Sequence, residues 1–445
     1  MAGGNFDINT PKVRPGQYIN FQAEQKSDIS MSTRGICLIP LIGYDWGADG
    51  DVIKVTADAP NAEIVRLGRS VYDSKNRHMK LVQLALHKAA TVYLYIISGG
   101  NQASVVQDNL TITAKYGGTR GNDITVSSVA NIDGGFDIKV YLEGELVESY
   151  ERATNIADLT DSDYVIFSGE GALVAFAGAN LEGGSSKEST NEQVTNFLDK
   201  IEKVKCNTVC FPCSDTALQV AALSKVKYLR EKVGKTVQMV MPNYAADYIG
   251  VINVTNSFVY DGIELTVEEA TAWVAGATAG ADKYMDLTLS KVDGATALVG
   301  EKINEVAIES IKNGEFFFSV DDEENVVVEY DINSLVNVSS KQDEGYKNNR
   351  VIRTFDSFAD DIRKAIPNAT YDNDEEGWNA MEGLGKALLK AYAGEPKERH
   401  AIKNVDLDND FKVDRSRSKL DNTYFDVAIE PVMTSTKQYY TITTH

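Results

Sequence analysis

Histidine is scarce in this chain of 445 residues, which contains four copies. They are His78, His87, His400 and His445. None lies in a metal-protease motif such as H-E-x-x-H, and for the two that flank a helix near 77–89 a surface or packing role is the simpler interpretation. The sequence therefore predicts no catalytic triad and no metal site that depends on histidine.

Cysteine is also rare, and its four copies would make a poor disulfide framework in a chain of this length. A reducing compartment fits this count. Cys206, Cys210 and Cys213 have the spacing C-x3-C-x2-C, which can hold zinc or an iron–sulfur cluster. No fourth ligand lies nearby, and the surrounding NTVCFPC is typical of a buried strand in which cysteine packs as a small apolar residue. Buried thiols are the favoured interpretation.

Long apolar runs and positive net charge are missing as well. No run approaches the roughly 18 to 20 apolar residues that cross a bilayer, and the start MAGGNFDINTPK has neither a basic nor an apolar signal region. Lysine plus arginine number 44 against 65 aspartate plus glutamate, a formal charge of −21 that repels phosphate backbones and anionic lipids. We expect no nucleic-acid partner, no membrane insertion, and synthesis in the cytoplasm.

Two segments resemble ligand-binding motifs without completing them. GLGKALLK at 383–390 lacks the spacing and the hydroxyl residue of a phosphate loop. DLDND at 406–410 begins like a calcium loop, but Phe411 replaces the turn glycine and Arg417 occupies the position of the bidentate glutamate. Because no set of convergent polar groups emerges, we predict that the chain is not an enzyme and uses no cofactor and no metal.

The apolar segments predict an α/β core that is interrupted by a β block. GICLIPLIG from residue 35 and TVYLYII from residue 91 are typical of strands buried on both faces, and a helical stretch separates them. Between 101 and 183 the pattern changes to short alternating segments such as LTITA and FDIKVYL, which indicate an all-β domain. Helices and buried strands then return, so we interpret the β domain as an insertion into one split α/β domain.

Polar linkers and changes of pattern divide the whole chain into five parts. The predicted parts are an N-terminal arm, 1–22; a split α/β domain, 23–100 and 184–345; an inserted all-β domain, 101–183; an α+β C-terminal domain, 346–430; and a C-terminal arm, 431–445. In the C-terminal domain, Phe355, Phe358, Ile362 and Ile366 predict one apolar helical stripe. A second helix near 375–393 begins with acidic side chains, which its dipole favours.

Both arms are rich in residues that suit a strand but are too short to bury a core. The N-terminal candidates for contacts between subunits are Val13, Pro15, Tyr18, Ile19 and Phe21. The C-terminal candidates are Tyr439, Tyr440, Thr441, Ile442 and Thr443. Because a strand at a chain end has unpaired edges, we expect both arms to pair with other copies of the chain.

Five segments, in order, resemble the contractile tail sheath family of Firmicutes myophages and R-type bacteriocins. They are VRPGQYINF at 13–21, IPLIGYDWG at 39–47, AKYGGTRGNDITV at 114–126, MPNYAADYIGVINV at 241–254 followed by LTVEEATAWVAGATAGA at 265–281, and NNRVIRTFDSFADDIRKA at 348–365. The resemblance spans nearly the whole chain. It implies a subtilisin-like topology without protease residues for the α/β domain.

The resemblance also implies a structural role in a virion tail or an extracellular phage-tail-like particle. Sheath subunits form stacked hexameric rings around an inner tail tube, exchange terminal strands, and contract when the baseplate releases them; baseplate and tail terminator proteins are further expected partners. The helix near 375–393 is similar to the family's tube-contacting helix. Its tube-facing candidates are Asp374, Glu375, Glu376, Lys386 and Lys390. The segment IPNATYDNDEEG before it departs from the expected glycine–lysine turn.

Two other classes of protein remain as alternatives at this point. A non-contractile self-assembling surface protein could also polymerise through strand-forming arms, although the start of the chain does not read as a signal peptide. An α/β hydrolase-like enzyme would share the helix and strand alternation, but the sequence offers no catalytic group for it.

Overall fold

The computed structural model describes residues 2–4, 16–18, 34–160, 162–394 and 399–444. Strands β1 (Ala2–Gly4) and β2 (Gly16–Tyr18) pair in parallel with each other as a separate two-stranded sheet. Among the N-terminal arm candidates, Tyr18 ends β2. The other four, Val13, Pro15, Ile19 and Phe21, lie outside the described residues.

The α/β body begins with a long buried strand. Its elements up to residue 98 are β3 (Ile36–Tyr44), β4 (Val52–Thr56), α1 (Ile64–Leu67), α2 (Arg77–Leu86) and β5 (Thr91–Ser98). Strands β3 and β5 pair in parallel along almost their whole length, and α2 connects them, as the apolar runs predict. The side chain of Asn76 caps α2 by accepting a hydrogen bond from the Met79 N–H.

A block that contains strands and two short 3-10 turns follows. Its strands are β6 (Gly100–Asn101), β7 (Ser104–Gln107), β8 (Leu110–Ala114), β9 (Ile124–Ala130), β10 (Phe136–Leu142), β11 (Glu145–Ala153), β12 (Val165–Gly169), β13 (Phe176–Asn180) and β14 (Ser185–Ser186). They form sheets in the orders β11-β10-β9-β13 and β12-β8-β7, whose inward side chains share one core. Because β6 pairs with β14, the chain enters and leaves the block at one place, as expected of an insertion.

The chain then returns to the α/β body. The remaining elements there are α3 (Asn191–Lys200), β15 (Thr208–Cys210), α4 (Thr216–Tyr228), β16 (Gln238–Pro242), β17 (Val251–Val254), β18 (Ser257–Tyr260), β19 (Ile263–Glu264), α5 (Val267–Gly280), β20 (Ala295–Val299), α6 (Asn304–Lys312), β21 (Glu315–Phe316), β22 (Phe318–Val320) and β23 (Val326–Val328). Helix α4 continues into a π-helical turn that ends at Gly234, where φ is +78°. Glycine adopts this left-handed conformation without steric cost.

Strands from both sides of the insertion meet in one seven-stranded sheet. Its order is β21-β17-β16-β15-β3-β5-β4, with every neighbouring pair parallel except β4 and β5. One face packs on α2 and α5, and the other on α3 and α4. Helix α5 lies close to α2, since a Cβ on Gly276 would be 2.3 Å from the Ala85 carbonyl oxygen. The prediction of a split, largely parallel α/β domain is confirmed.

The C-terminal domain combines two long helices with two short sheets. Its elements are α7 (Asn349–Ala365), α8 (Glu375–Ala393), β24 (Ile402–Lys403), β25 (Phe411–Val413), β26 (Phe425–Val427) and β27 (Glu430–Pro431). Strand β24 pairs with β27, and β25 pairs with β26. The small core contains Phe358, Leu388, Tyr392 and Phe411.

Helix α7 is buried more completely on its polar side than on the predicted apolar stripe. Arg353 Nη2 lies 2.6 Å from Asp331 Oδ2, and Asp356 accepts two hydrogen bonds from Arg230 at 2.7 and 2.9 Å. These contacts fasten the C-terminal domain to the α/β body. Of the predicted apolar stripe, Phe358 is buried, whereas Phe355, Ile362 and Ile366 are only half-buried.

Candidate assembly surfaces

The chain leaves the folded body after its last strand. Pro431 pairs with Ile402, and the Val432 N–H donates to the Ala401 carbonyl oxygen at 2.9 Å. Beyond that bond, residues 433–444 form no strand and make no backbone hydrogen bond to another residue that the structure describes. Among the described residues, the backbone donors and acceptors of 433–444 therefore have no backbone partner.

Two side-chain contacts hold the first part of this segment against the body. Arg350 Nη1 donates to Thr434 Oγ1 at 2.7 Å. The Lys437 ammonium lies 5.7 Å from the centre of the Tyr330 ring, within the range of a cation–π contact. The segment after Lys437 is therefore the part that can leave the body without breaking a contact to it.

The five C-terminal candidate residues lie in this last part and are all exposed. The exposed fractions of Tyr439, Tyr440 and Ile442 are 90%, 79% and 88%. The one hydrogen bond they make within the segment is from the Tyr440 hydroxyl to Gln438 Oε1, at 2.5 Å. Large side chains of this type gain about 1.5–3 kcal/mol each when they are buried. Burial of this segment against another surface would therefore be favourable in free energy.

Acceptor edges for such a segment are present in the C-terminal domain. The sheets β24–β27 and β25–β26 each have two strands, so the outer edge of every strand is unpaired among the described residues. Beside β25–β26 lies an open groove of about 940 Å³ with a mixed polar and apolar lining, whose apolar members include Ile366, Met381, Phe425 and Val427. An extended peptide could add to such an edge through backbone hydrogen bonds and place alternate side chains in the groove.

The acidic start of α8 has three side chains in three different situations. Asp374 is the N-cap and accepts a hydrogen bond from the Gly377 N–H at 2.9 Å. Glu375 pairs with Arg415, whose Nε lies 3.1 Å from Oε1. Glu376 is exposed and makes no hydrogen bond or ion pair to any described residue. Of the three candidates, Glu376 therefore has the carboxylate that is most available to a partner.

Arg415 contacts the acidic start of α8, and the sequence analysis did not single it out. It contacts Glu375, donates from Nη1 to Glu382 Oε1 at 2.8 Å, and lies over the Trp378 ring. Burial opposes the ionisation of Glu382, but hydrogen bonds from Arg415 and Val413 outweigh it and lower the pKa of Glu382. Because about 40 residues separate Arg415 from the start of α8, no local pattern could reveal this pairing.

The two lysine candidates lie further along α8, on the same side as Glu375. Lys386 follows Glu375 by eleven residues, about three helical turns. Its ammonium lies 3.2 Å from Asp408 Oδ1. Lys390 is exposed one turn later, near the helix C-terminus, where the dipole favours a cation. One side of α8 thus presents negative charge at its start and positive charge near its end.

The cysteine cluster has the character of a packed core. Cys206 and Cys210 are buried, and burial raises the pKa of Cys206 to about 11 and of Cys210 to about 12. Cys210 Sγ lies 3.2 Å from Thr271 Oγ1 in α5. Within the described ranges no group of three or more His, Cys, Asp or Glu side chains could hold a metal ion. These thiols are therefore protonated packing residues.

No described helix is both long enough and apolar enough to cross a membrane. His78 and His87 have different partners: His78 Nε2 lies 2.8 Å from the Ile42 carbonyl oxygen, and His87 Nε2 lies 3.0 Å from the Tyr260 hydroxyl.

Comparison with known proteins identifies the three domains. Residues 187–334 match the phage tail sheath protein central domain, residues 88–188 match the phage tail sheath protein beta-sandwich domain, and residues 341–444 match the phage tail sheath C-terminal domain. The sheath tail protein of Desulfitobacterium hafniense is 36% identical, with a TM-score of 0.83 over 94% of this chain and 96% of that one. The chain belongs to the phage tail sheath protein family.

Two more solved structures extend the likeness of this sheath protein. The sheath tail protein of Listeria innocua is 30% identical, with a TM-score of 0.77 over 91% of this chain and 94% of that one. The helical sheath of the anti-feeding prophage, solved in its contracted state, is 13% identical with a TM-score of 0.53, and it covers 98% of this chain and 100% of that one. At that identity the second likeness shows the fold alone.

Membership decides between the classes of protein that the sequence left open. The chain is a tail sheath subunit, a structural protein and not an enzyme. Its place is the tail of a phage or phage-like particle. The resemblance to tail sheath proteins is confirmed by the three family matches. The prediction of an inserted β domain is confirmed because the beta-sandwich match covers that part of the chain.

Proposed function

We propose that this sheath protein polymerises as stacked hexameric rings around an inner tube, joins neighbouring subunits by exchange of its terminal strands, and contracts to drive the tube through a bacterial envelope. The observation that carries the proposal is the exposure of Tyr439, Tyr440 and Ile442 on a segment without backbone partners in the described structure. A strand of this composition completes its hydrogen bonds only when it adds to another sheet.

We infer that residues 1–22 and 431–445 are the two arms that pair with neighbouring subunits. The body between them consists of the three predicted domains. These are the split α/β domain 23–100 and 184–345 with subtilisin-like topology, the inserted domain 101–183, and the C-terminal domain 346–430. The seven-stranded sheet with helices on both faces supports the α/β assignment. Pro431 and Val432 hold the root of the C-terminal arm on the body through Ile402 and Ala401.

The acceptor for a neighbour's arm is one of the two-stranded sheets in the C-terminal domain. Their free edges lie in the same domain from which the C-terminal arm leaves, which supports an exchange between C-terminal domains. A link made of backbone hydrogen bonds keeps chains joined while the bodies rotate relative to each other. Contraction then requires two packings of the same subunits, with no nucleotide.

The side of α8 that carries Asp374, Glu375, Glu376, Lys386 and Lys390 faces the inner tube in this proposal. The available carboxylate of Glu376 supports a contact with basic residues of the tail tube protein. Baseplate and tail terminator proteins contact the two ends of the assembled sheath. The subunit is synthesised and assembled in the bacterial cytoplasm and acts in a virion tail or an extracellular phage-tail-like particle.

Truncation after Lys437 tests the role of the arm, since it removes the exposed candidates and keeps the contacts of Thr434 and Lys437 with the body. We expect a folded monomer with unchanged thermal unfolding that forms no tubes in negative-stain microscopy. A full-length variant with Tyr439, Tyr440 and Ile442 replaced by serine should behave in the same way. Normal tubes from either protein would overturn the exchange of C-terminal strands.

A composition-matched control uses two tyrosines and one isoleucine that are exposed elsewhere, Tyr72, Tyr228 and Ile132. Their replacement by serine should leave polymerisation unchanged. Microscopy of the wild-type polymer should show striated tubes of two diameters, one for each packing. Tubes of one diameter under all triggering conditions would overturn the proposal of two packings.

A further inference from the structure

A basic pocket lies at the edge of the central sheet where parallel strands β15 and β16 begin. The loops before these strands and the last turns of α7 enclose an open volume of about 580 Å³. Its charged lining consists of Lys205, Lys235, Arg363, Lys364 and Asp360. Four cations and one anion therefore surround the pocket, in a chain whose net charge is −21.

The one carboxylate in the lining of the pocket, Asp360, already accepts hydrogen bonds from neighbouring side chains. Asp360 accepts hydrogen bonds from Thr236 Oγ1 at 2.9 Å and from Arg363 Nη1 at 2.8 Å. Lys205 is exposed and forms no ion pair with any described residue. The surrounding stretch 200–235 carries eight lysine and arginine residues against three aspartate and glutamate residues. The pocket thus keeps an excess of positive charge that could accept carboxylates.

An acidic turn joins β22 to β23. The Asp321 carboxylate accepts the backbone N–H groups of Glu323 at 3.0 Å and Asn325 at 2.8 Å, which holds the turn in one conformation. Asp322, Glu323 and Glu324 are exposed and form no ion pair with a described residue. The turn therefore presents a compact group of carboxylates whose positions are set before any partner binds.

The topology places the turn and the pocket at opposite ends of the sheet. Strand β21 runs parallel to β17, and the Asn256 side chain, just past the end of β17, hydrogen-bonds both backbone groups of Phe318 in β22 at 2.8 Å. The chain returns through β23 until the Ser334 N–H reaches the carbonyl oxygen of Val251, at the start of β17. The turn therefore lies at the carboxyl end of the strands, and the pocket lies at their amino end.

We propose that the acidic turn of one subunit docks into the basic pocket of the next, so that subunits associate head to tail. Opposite charges at opposite ends of one body suit a heterologous contact, which gives a ring where its rotation closes and an open stack where it does not. The inference rests on the proposed polymerisation and adds a body-to-body contact to the exchange of arms. Because both surfaces are exposed, this contact weakens as ionic strength rises.

Two charge-reversal variants test the contact. The pocket variant carries Lys205→Glu and Arg363→Glu, and the turn variant carries Asp322→Lys and Glu323→Lys. Like charges placed opposite each other oppose association, so each variant alone should need about tenfold more protein to assemble, which corresponds to about 1.4 kcal/mol. The formal charge becomes −25 in the pocket variant and −17 in the turn variant. General repulsion between acidic bodies would instead predict that the turn variant assembles more readily than wild type.

An equal mixture of the two variants gives the decisive measurement. In the mixture, each native turn can meet a native pocket and each reversed turn a reversed pocket, so alternating subunits should restore assembly near the wild-type concentration. The matched control, Lys54→Glu with Lys75→Glu, also has a charge of −25 but changes exposed lysines outside the pocket. It should assemble like wild type. Circular dichroism verifies that every variant is folded.

Failure of this contact can be separated from failure of the arm exchange. If the pocket variant assembles like the control, or if the mixture does not restore assembly, the docking of the turn is overturned while the arms can still join subunits. If protein truncated after Lys437 assembles normally, the arm exchange is overturned instead. Sedimentation at several protein and salt concentrations measures both outcomes.

Discussion

Arg353 and Asp331 form an ion pair in which neither side chain is exposed to solvent. Asp331 also accepts the Leu287 N–H and the Asn349 side-chain amide, both at 3.0 Å. Arg353 Nη2 donates in addition to the Met285 carbonyl oxygen at 2.7 Å. The pair therefore joins α7 to two separate segments of the α/β body and fixes how the C-terminal domain sits on it.

Replacement of Arg353 by leucine should destabilise the protein strongly. The change leaves the Asp331 carboxylate buried without its cation, which typically costs about 3–5 kcal/mol. Arg363→Leu is the control on the same helix, because its pair with Asp360 is partly exposed and should change stability by less than about 1 kcal/mol. Urea unfolding of the monomer measures both. Equal effects of the two substitutions would contradict the structural role of the buried pair.

Two glycines of α8 should respond in opposite ways to alanine. A Cβ on Gly385 would lie 2.1 Å from the ring of buried Phe411, so Gly385→Ala must displace a core side chain and should cost about 1–3 kcal/mol. Gly383 has no heavy atom within 4 Å of such a Cβ, so Gly383→Ala should stabilise the helix by about 0.5–1 kcal/mol. Thermal unfolding compares them, and the same sign for both would refute the packing of α8 on β25.

The thiols should differ in reactivity. Cys213 is half-buried, whereas Cys37, Cys206 and Cys210 are buried, and the thiolate is the reactive form. In native protein a soluble alkylating reagent should therefore modify Cys213 slowly. The other three thiols should react only when the protein unfolds. Mass spectrometry of tryptic peptides identifies the modified residue. Rapid modification of Cys206 or Cys210 in folded protein would show that the strand is not packed as described.

The same thiols predict a loss of stability at high pH. In the unfolded chain a thiol has a pKa of 9.0, whereas burial raises the pKa of Cys206 to about 11 in the folded protein. Between these values the unfolded chain binds fewer protons, so the free energy of unfolding falls as pH rises above about 9. Cys206→Ala should flatten this dependence in urea titrations between pH 8 and pH 11. An unchanged slope would contradict the burial of this thiol.

Glu376→Lys should weaken attachment of the sheath to its tube. The substitution reverses the one acidic side chain at the start of α8 that is neither a cap nor paired with Arg415. Glu305→Lys is a matched control, since Glu305 is exposed at the second position of α6, as Glu376 is in α8. Both substitutions oppose a helix dipole to the same extent. Co-assembly with purified tube protein should fall for Glu376→Lys alone, and equal assembly of both would refute the tube contact.

Much of the architecture was predictable because local patterns reported burial directly. The runs at 35–43 and 91–97 are apolar on both faces, which only a sheet covered on both sides can satisfy, and they became neighbouring parallel strands. The alternating segments of the insertion likewise became paired strands with one buried face. The C-terminal segment with its exposed tyrosines was recognisable because its composition suits a strand, and no described residue forms a backbone hydrogen bond with it.

Other features depended on contacts between distant residues. Arg415 meets the start of α8 across a separation of 40 residues, and Asp331 meets Arg353 across 22. A charged residue inside a helical pattern ordinarily indicates the solvent side, so the buried polar face of α7 carried no local signal. In the sequence, the segments of the basic pocket and the acidic turn are ordinary charged loops. Only the direction of the strands shows that they lie at opposite ends of the sheet.

The sequence by itself determined the strands, the insertion, the acidic charge and the strand-like ends, because burial and β propensity act on neighbouring residues along the chain. Only the tertiary structure decided which charges are paired and which are available. Glu375 and Glu376 are adjacent and chemically identical, yet Arg415 neutralises the first and the second faces solvent. That difference arises because electrostatic pairing depends on distance in space, and distance in space is set by the packing of the whole domain.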